Sequence, residues 1–368
     1  MRSPESLRQW ITDLLPHTTA PARTGAHQLV SSLLTGFTAN LCGLARHQAG
    51  RRRVRTAASQ RQFFFRWLQR PRWVPEAIYA RLLRRWPPAL QQAPVVPLLI
   101  DCTILGAGWN VLQVSVPFAR RALPVYRAVV HYRRPAVSQK ALLDTALVWL
   151  KKHLPGPQAR YVLILDRGFP SHELLRQLQQ AGWRYVVRIH RNWKLTHPQH
   201  MGLLQDALPA DRTQRQCQRF LHGVLGNRQK GAAKWSQSHV VVLADPDQQE
   251  EWVLATSEAD AEATVALYRQ RMQIEAEFRD LKGPLGMDHL EQWQDADRVA
   301  RLLVWVAVYE WRLAWLWETR PLAAWGRRYL QVGGALSWIT ITRQWVQQHW
   351  RQALGPPPTT QTAVRDTP

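Results

Sequence analysis

The sequence predicts a mixed α/β fold: a sheet with helices packed on it, preceded by an all-helical basic region, carrying a β-rich insertion, and followed by a helical C-terminal region. Three observations predict it. The first 95 residues place apolar side chains at helical spacing. Residues 96–189 read as three strands, a helix, a strand, a helix and a strand. From Gly283 onward the chain returns to helical, aromatic periodicity. With 368 residues, 46% of them apolar, the chain can build two or three cores rather than one.

In the first region Leu29, Leu33, Leu34, Phe37 and Leu41 recur at helical spacing, and Ser59 to Leu68 and Ala77 to Trp86 form two more amphipathic stretches. Pro87-Pro88, Pro94 and Pro97 then mark a boundary near residues 90–96. The whole chain has 49 Lys+Arg against 26 Asp+Glu, a net +23, and residues 1–95 contribute 15 Arg, no Lys and three acids, a net +12. Arg51, Arg52, Arg53 and Arg55 are the densest part, with Phe63, Phe64, Phe65, Trp67 and Trp73 interleaved among the arginines that follow. Arginine forks match phosphate geometry and release counterions on binding, so a polyanion, and nucleic acid in particular, is the expected partner. A solvated basic face is the alternative, and an anionic membrane fits less well because no lipid-facing amphipathic helix accompanies the charge.

Cys42, Cys102 and Cys217 are too widely spaced for a disulfide framework or a CxxC metal pair, which fits a reducing compartment. Arg2, Glu5, Arg8 and Asp13 interrupt the N-terminal hydrophobics, unlike a signal peptide. The most lipid-like stretch, Leu302 to Trp317, contains Glu310 and Arg312 and is too short to span a bilayer. The expectation from these features is a soluble, intracellular protein with no membrane contact.

The strands of the second region are Val96 to Leu105, Asn110 to Pro117, Pro124 to Tyr132, Tyr161 to Leu165 and Trp183 to Ile189, with helices Ser138 to His153 and Ser171 to Ala181 between them. That order is the one found in ribonuclease-H-like cores, an order other α/β folds share in part. Residues 190–256 read as a β-rich insertion, with runs Val240 to Leu243 and Trp252 to Ala255. The expected division is therefore 1–95 helical DNA-binding, 96–189 first part of the core, 190–256 insertion, 257–289 core helix, 290–354 helical C-terminal region and 355–368 disordered tail.

A single helix is expected from Ser257 to Lys282, capped by Ser257 and stopped by Gly283-Pro284. At about 100° per residue, Leu267, Ile274, Phe278 and Leu281 form an apolar stripe, and Tyr268, Arg271, Glu275 and Lys282 form a polar one beside it, each about 60° wide. Asp101 is an isolated acid inside an apolar strand, where an unpaired charge is costly. Asp166 ends the buried strand before Arg167-Gly168, where a turn residue is the other reading. If the first and fourth strands are neighbours, Asp101 and Asp166 share a site that Glu275 completes from the helix, with Glu277 as the runner-up on the opposite flank. Hard oxygen ligands suit Mg²⁺ or Mn²⁺, and two such ions about 3.5–4 Å apart can drive in-line displacement at phosphorus.

Tyr268-x2-Arg271-x3-Glu275-x6-Lys282 resembles the Y-R-E-K signature of bacterial DDE transposases of the insertion sequence four family. Asp166-Arg-Gly-Phe169 resembles that family's second motif and Leu99-Ile-Asp101-x-Thr103 its first, so the resemblance covers roughly residues 95–320. It implies that Asp101, Asp166 and Glu275 are catalytic metal ligands, that Tyr268, Arg271 and Lys282 grip phosphates near the transposon end, and that Trp252 stacks on a flipped base, where anchoring a strand in the core is the alternative. Met272 stands where some relatives carry an aromatic. Trp305, Tyr309, Trp315 and Leu316 read as core or dimer contacts, and His131, His172 and His190 have no metal-ligand spacing.

The function this resemblance implies is metal-dependent cleavage of double-stranded DNA at terminal inverted repeats and strand transfer to target DNA, by a homodimer on paired ends in a bacterial cytoplasm, associated with the nucleoid. The alternatives are a ribonuclease-H-like nuclease or resolvase that does not join strands, and a DNA-binding regulator derived from a transposase.

Overall fold

Strands β1 (Val96–Leu105) and β4 (Tyr161–Leu165) lie side by side in the middle of one sheet because their residues are almost all apolar, and strands buried on both faces need no alternation. The structure is a computed structural model that describes residues 6–49, 56–69, 73–106, 108–132, 137–208, 213–226, 234–246, 250–290, 293, 295–319 and 338–349. Arg51, Arg52, Arg53, Arg55 and the 355–368 segment lie outside the described residues.

β1 runs parallel to β4, with Ile100 opposite Leu165. On its other side β1 pairs antiparallel with β2 (Trp109–Phe118), which turns into β3 (Arg121–His131) through Ala119 and Arg120. Both turn residues have positive φ, 46° and 65°, as a two-residue type I′ hairpin loop demands. Pro124 offers no N–H, and the β2–β3 register shifts beside it so that Val125 is left without a partner.

β5 (Arg184–Arg188) continues the sheet parallel to β4. The region expected as a β-rich insertion adds β6 (Lys194–His197), β7 (His200–Leu203), β8 (Gln216–Gly226) and β9 (Trp235–Ala244), and β10 (Trp252–Thr256) joins these to β5. The result is one ten-stranded sheet in the order β3-β2-β1-β4-β5-β10-β9-β8-β6-β7.

Helices cover both faces of the β3 edge. On consecutive residues of β3, Tyr126 stacks 4.8 Å from Trp149 of α7 (Gln139–His153), while Arg127 meets Glu277 of α10 (Met272–Lys282). Adjacent strand residues point to opposite faces, so α7 and α10 do too. Ser138 and Ser171 cap α7 and α8 (His172–Gln180) through their hydroxyls.

The single helix expected over Ser257–Lys282 is two helices, α9 (Ala261–Arg269) and α10. Ser257 is not the cap: its hydroxyl accepts the Tyr185 N–H and its N–H donates to the Tyr185 carbonyl, so it still belongs to the β5 edge, and Asp260 caps α9 instead. Between the helices the N–H groups of Gln270, Arg271, Gln273 and Ile274 each bond three residues back, a tightened 3₁₀-type passage.

The chain forms two compact units, residues 79–307 around the sheet and residues 1–78 with 308–368. The sequence places its first boundary near residues 90–96, but Tyr79 and Trp86 pack on Tyr126 and Tyr161 of the sheet unit, so α5 (Pro75–Leu83) runs through the first cut and the short α6 (Pro88–Gln92) lies beyond it. α11 (Ala296–Thr319) runs through the second cut. The other unit contains α1 (Leu7–Leu14), α2 (Ala20–Gly36), α3 (Leu41–Ala49), α4 (Ala57–Gln69) and α12 (Trp338–Gln348). Leu29, Leu33 and Leu34 are fully buried there, and Gly25 lets the Trp67 indole approach so closely that a Cβ would lie 2.4 Å from its Nε1. Buried Arg312 lies under Trp10 and Trp315, with its guanidinium carbon 5.6 and 4.5 Å from their ring centres. No described helix is long and apolar enough to cross a membrane.

Glu277, the runner-up metal ligand, is 0% exposed and belongs to a separate buried network. It accepts from Arg127 at 2.5 Å and from Gln113, while the Arg127 Nε donates to Gln113 and its other nitrogen to the Leu303 carbonyl. Glu277→Ala leaves a buried guanidinium uncompensated and should cost about 3–5 kcal/mol in chemical denaturation, with Glu277→Gln losing less.

Candidate active site

The β1–β4 register dictates the centre of the site. Asp101 and Asp166 each stand one residue beyond the Ile100–Leu165 pair, so parallel pairing brings the two carboxylates to the same level of the sheet. Asp166 also begins a turn closed by the Phe169 N–H to its carbonyl, so its place as a turn residue leaves its carboxylate beside that of Asp101. α10 presents Glu275, and the tightened passage before it presents Arg271.

The three carboxylates meet on one guanidinium. One terminal nitrogen of Arg271 lies 3.1 Å from Asp101 Oδ2 and 3.7 Å from Asp166 Oδ2, and the other lies 2.5 Å from Glu275 Oε1. The Tyr268 hydroxyl donates to Asp166 Oδ1 at 2.9 Å, and the Arg271 guanidinium carbon sits 5.9 Å from the Tyr268 ring centre. Tyr268 and Arg271 were expected at the rim of the helix contact, yet they are 2% and 7% exposed, because the break between α9 and α10 turns them inward.

The electrostatics separate the two aspartates. Burial pushes the Asp101 carboxyl up to about 6, against the Cys102 N–H and the Arg271 charge, with Asp166 and Glu275 adding to the rise. For Asp166 burial works in the same direction, but Arg271, the Arg167 N–H, the Tyr268 hydroxyl and Arg188 together hold it below the ordinary carboxylate value. Burial also raises the Tyr268 phenol, and the Asp166 charge adds to that. Burial opposes the Arg271 charge, but Tyr268 and the three carboxylates outweigh it.

Of the expected site residues, Asp101, Asp166, Glu275, Tyr268 and Arg271 come together. Trp252 is next to them but 6% exposed, its ring 4.9 Å from that of Tyr268 at 72°. In this arrangement it walls the tyrosine instead of offering an open stacking face. Lys282 lies at the end of α10, half-buried, and its ammonium makes no hydrogen bond or ion pair among the described residues. Arg188 and Glu250 were not anticipated. Leu165 pairs with Val187, which sets Arg188 opposite Asp166, at 4.0 Å from Oδ1, and Glu250 bridges Arg188 and Arg167 at 2.7 and 2.9 Å. The signal was a buried strand with Arg at its end beside one with Asp at its end, readable only once the two are known to be in register.

Among the described residues no three His, Cys, Asp or Glu side chains gather into a cluster that could hold a metal ion, because the guanidinium separates the carboxylates. The donor set is nonetheless one that suits a hard divalent cation: only oxygen anions, all turned toward a single positive charge.

Residues 129–311 match the model of the transposase DDE domain. The matched range contains Asp166, Trp252, Tyr268, Arg271, Glu275 and Lys282 and begins after Asp101. It supports a transposase of the DDE type, an enzyme class that cleaves DNA and generally uses divalent metal ions. A piggyBac transposase synaptic complex with hairpin DNA is among the solved structures that match, at 11% identity over 97% of this chain and 80% of that one, with a TM-score of 0.47. No curated protein matches the chain.

A test of the site follows from Asp101. Its folded pKa lies above its unfolded value of 3.8, so the folded state binds more protons between about pH 4 and 6. In the metal-free protein this contribution to stability is present below pH 4 and falls as pH rises to 6, by at most about 3 kcal/mol. Denaturation of Asp101→Asn across that range should lack this slope. Asp166 acts oppositely, and its contribution is lost as pH falls below 3.8.

Proposed function

We propose that this chain is a DNA transposase of the insertion sequence four type, with a ribonuclease-H-like catalytic core that cleaves DNA at terminal inverted repeats and joins the freed ends to target DNA. One observation carries it: Asp101, Asp166 and Glu275, far apart in sequence and on three different elements, converge on one point. The strand order β3-β2-β1-β4-β5, with β2 antiparallel and β4 parallel to β1, supports the ribonuclease-H-like reading, and the family match supports the transposase.

Asp101, Asp166 and Glu275 would hold Mg²⁺ or Mn²⁺, as two ions in this reading. Bound metal supplies activation of a water or 3′-hydroxyl and neutralisation of the leaving oxygen. The chain's own groups set up the rest. Tyr268 fixes one oxygen of Asp166 and leaves the other turned toward the site. Tyr268, Arg271 and Lys282 are the proposed phosphate contacts, and Arg188 and Arg167 add positive charge beside Asp166. The helical basic residues 1–95 would recognise the repeats, and handling both ends together calls for a homodimer.

Purified protein incubated with DNA carrying its own flanking repeats and Mg²⁺ should yield 3′-end cleavage and joined products. Asp166→Ala should lower the rate by roughly 10³-fold or more, the equivalent of several kcal/mol. Cleavage without joining would point to a nuclease, and specific binding without chemistry to a regulator. Affinity for duplex DNA should fall steeply with salt, by roughly 10³-fold between 50 and 200 mM, as expected when six or more phosphates are neutralised.

A further inference from the structure

We propose that Arg271 is an internal cation that holds the metal-free site closed and must leave the three carboxylates before a divalent ion can bind. This rests on the transposase reading above and deepens it. It makes metal loading and the freeing of Arg271 one coupled event.

The contrast with the buried Arg127–Glu277 network carries the argument. In the Arg127–Glu277 network every guanidinium nitrogen has a partner: Nε on Gln113, one terminal nitrogen on the Leu303 carbonyl and the other on Glu277. Its two charged side chains are 1% and 0% exposed, as in a permanent strut. Arg271 differs on each count. Its Nε is buried with no hydrogen-bond partner, and one terminal nitrogen is divided between two aspartates at 3.1 and 3.7 Å. Its carboxylate partners stay open to solvent, Asp101 at 20%, Asp166 at 23% and Glu275 at 39%. Solvent therefore reaches the carboxylates, but the oxygens a divalent ion would need are the ones that face the guanidinium.

The charge balance favours exchange. Three acids face one guanidinium, and the next arginine, Arg188, stands 4.0 Å from Asp166 and is committed to Glu250 at 2.7 Å. Replacing a single positive charge with a divalent one suits an excess of carboxylates. The backbone also has a place to yield: Arg271 sits at the break between α9 and α10, where the bonds run three residues back, a feature that often marks a hinge. Because Arg271 and metal compete for the same oxygens, any anion that captures the freed guanidinium tightens metal binding by the same factor that metal tightens the anion. A DNA phosphate is such an anion. Substrate grip by this residue then depends on a loaded site, and the metal-free enzyme keeps its cation to itself.

The test is calorimetric titration of the full chain with MnCl₂ in the absence of DNA, comparing wild type, Arg271→Met and Arg271→Lys, with an Asp101→Asn/Asp166→Asn double variant to identify binding at the carboxylates. Circular dichroism checks that each variant folds. Loss of the competitor should tighten carboxylate-dependent Mn²⁺ binding about tenfold or more in Arg271→Met, and Arg271→Lys, which keeps a charge but loses the fork, should fall between. If Arg271→Met does not fold, Arg271→Lys alone must bind more tightly than wild type. Carboxylate-dependent binding that is equal or weaker in the Arg271 variants overturns the latch and leaves the transposase reading standing. If the double variant binds Mn²⁺ as well as wild type does, there is no metal centre at these residues, and both fall.

Discussion

The parallel pairing of β1 with β4 is the constraint on which the rest of the structure depends. Parallel neighbours cannot be joined by a tight turn, so a long connection must separate them, and here it runs through the β2–β3 hairpin on the far side of β1 and then through α7. Their register carries two acids that are 65 residues apart in sequence, one inside β1 and one just past the end of β4, to the same level of the sheet. A slip of one residue would turn one of the two carboxylates to the other face of the sheet. The same ladder extended to β5 sets Arg188 opposite Asp166, so the sheet supplies both the anions and one of the cations that balance them.

Burying carboxylates is costly, and the molecule meets that cost in two ways. Around Glu277 the solution is complete: a fully paired arginine and an amide share a buried interior that binds α10 to the β2–β3 hairpin. Around Asp101, Asp166 and Glu275 it is partial, with one guanidinium divided among three acids and a buried nitrogen left over. Glu275 and Glu277 are only two residues apart on α10, so the paired network fixes the helix that presents the open one. A rigid strut next to an incompletely satisfied site is what function requires, since a site whose every bond is made has nothing left for a ligand.

The break between α9 and α10 bears on the same point. A continuous helix would have kept Tyr268 and Arg271 at the margin of the sheet contact, in a stripe with Lys282. The tightened passage buries Tyr268 and Arg271 over the acids and leaves Lys282 apart, so residues that form one stripe on a helical wheel take two different places in the folded chain.

Much of this was legible in the residues themselves. The apolar runs Val96 to Leu105 and Tyr161 to Leu165, the acid inside the first and the acid ending the second, and the spacing of Tyr268, Arg271 and Glu275 are local patterns, and local patterns report strands, helix faces and costly isolated charges. What they could not report is pairing. That the insertion strands would extend the same sheet, that Ser257 would stay with β5 and so pass the cap to Asp260, that Glu277 would find Arg127, and that Arg188 would face Asp166 all depend on which strands become neighbours and in what register. By itself the sequence determined the chemistry on offer: three acids, a phenol, an arginine and a strongly basic chain. Only the tertiary structure decided that those acids would share a single guanidinium, because a buried charge takes its partner from whatever the fold brings within a few ångströms.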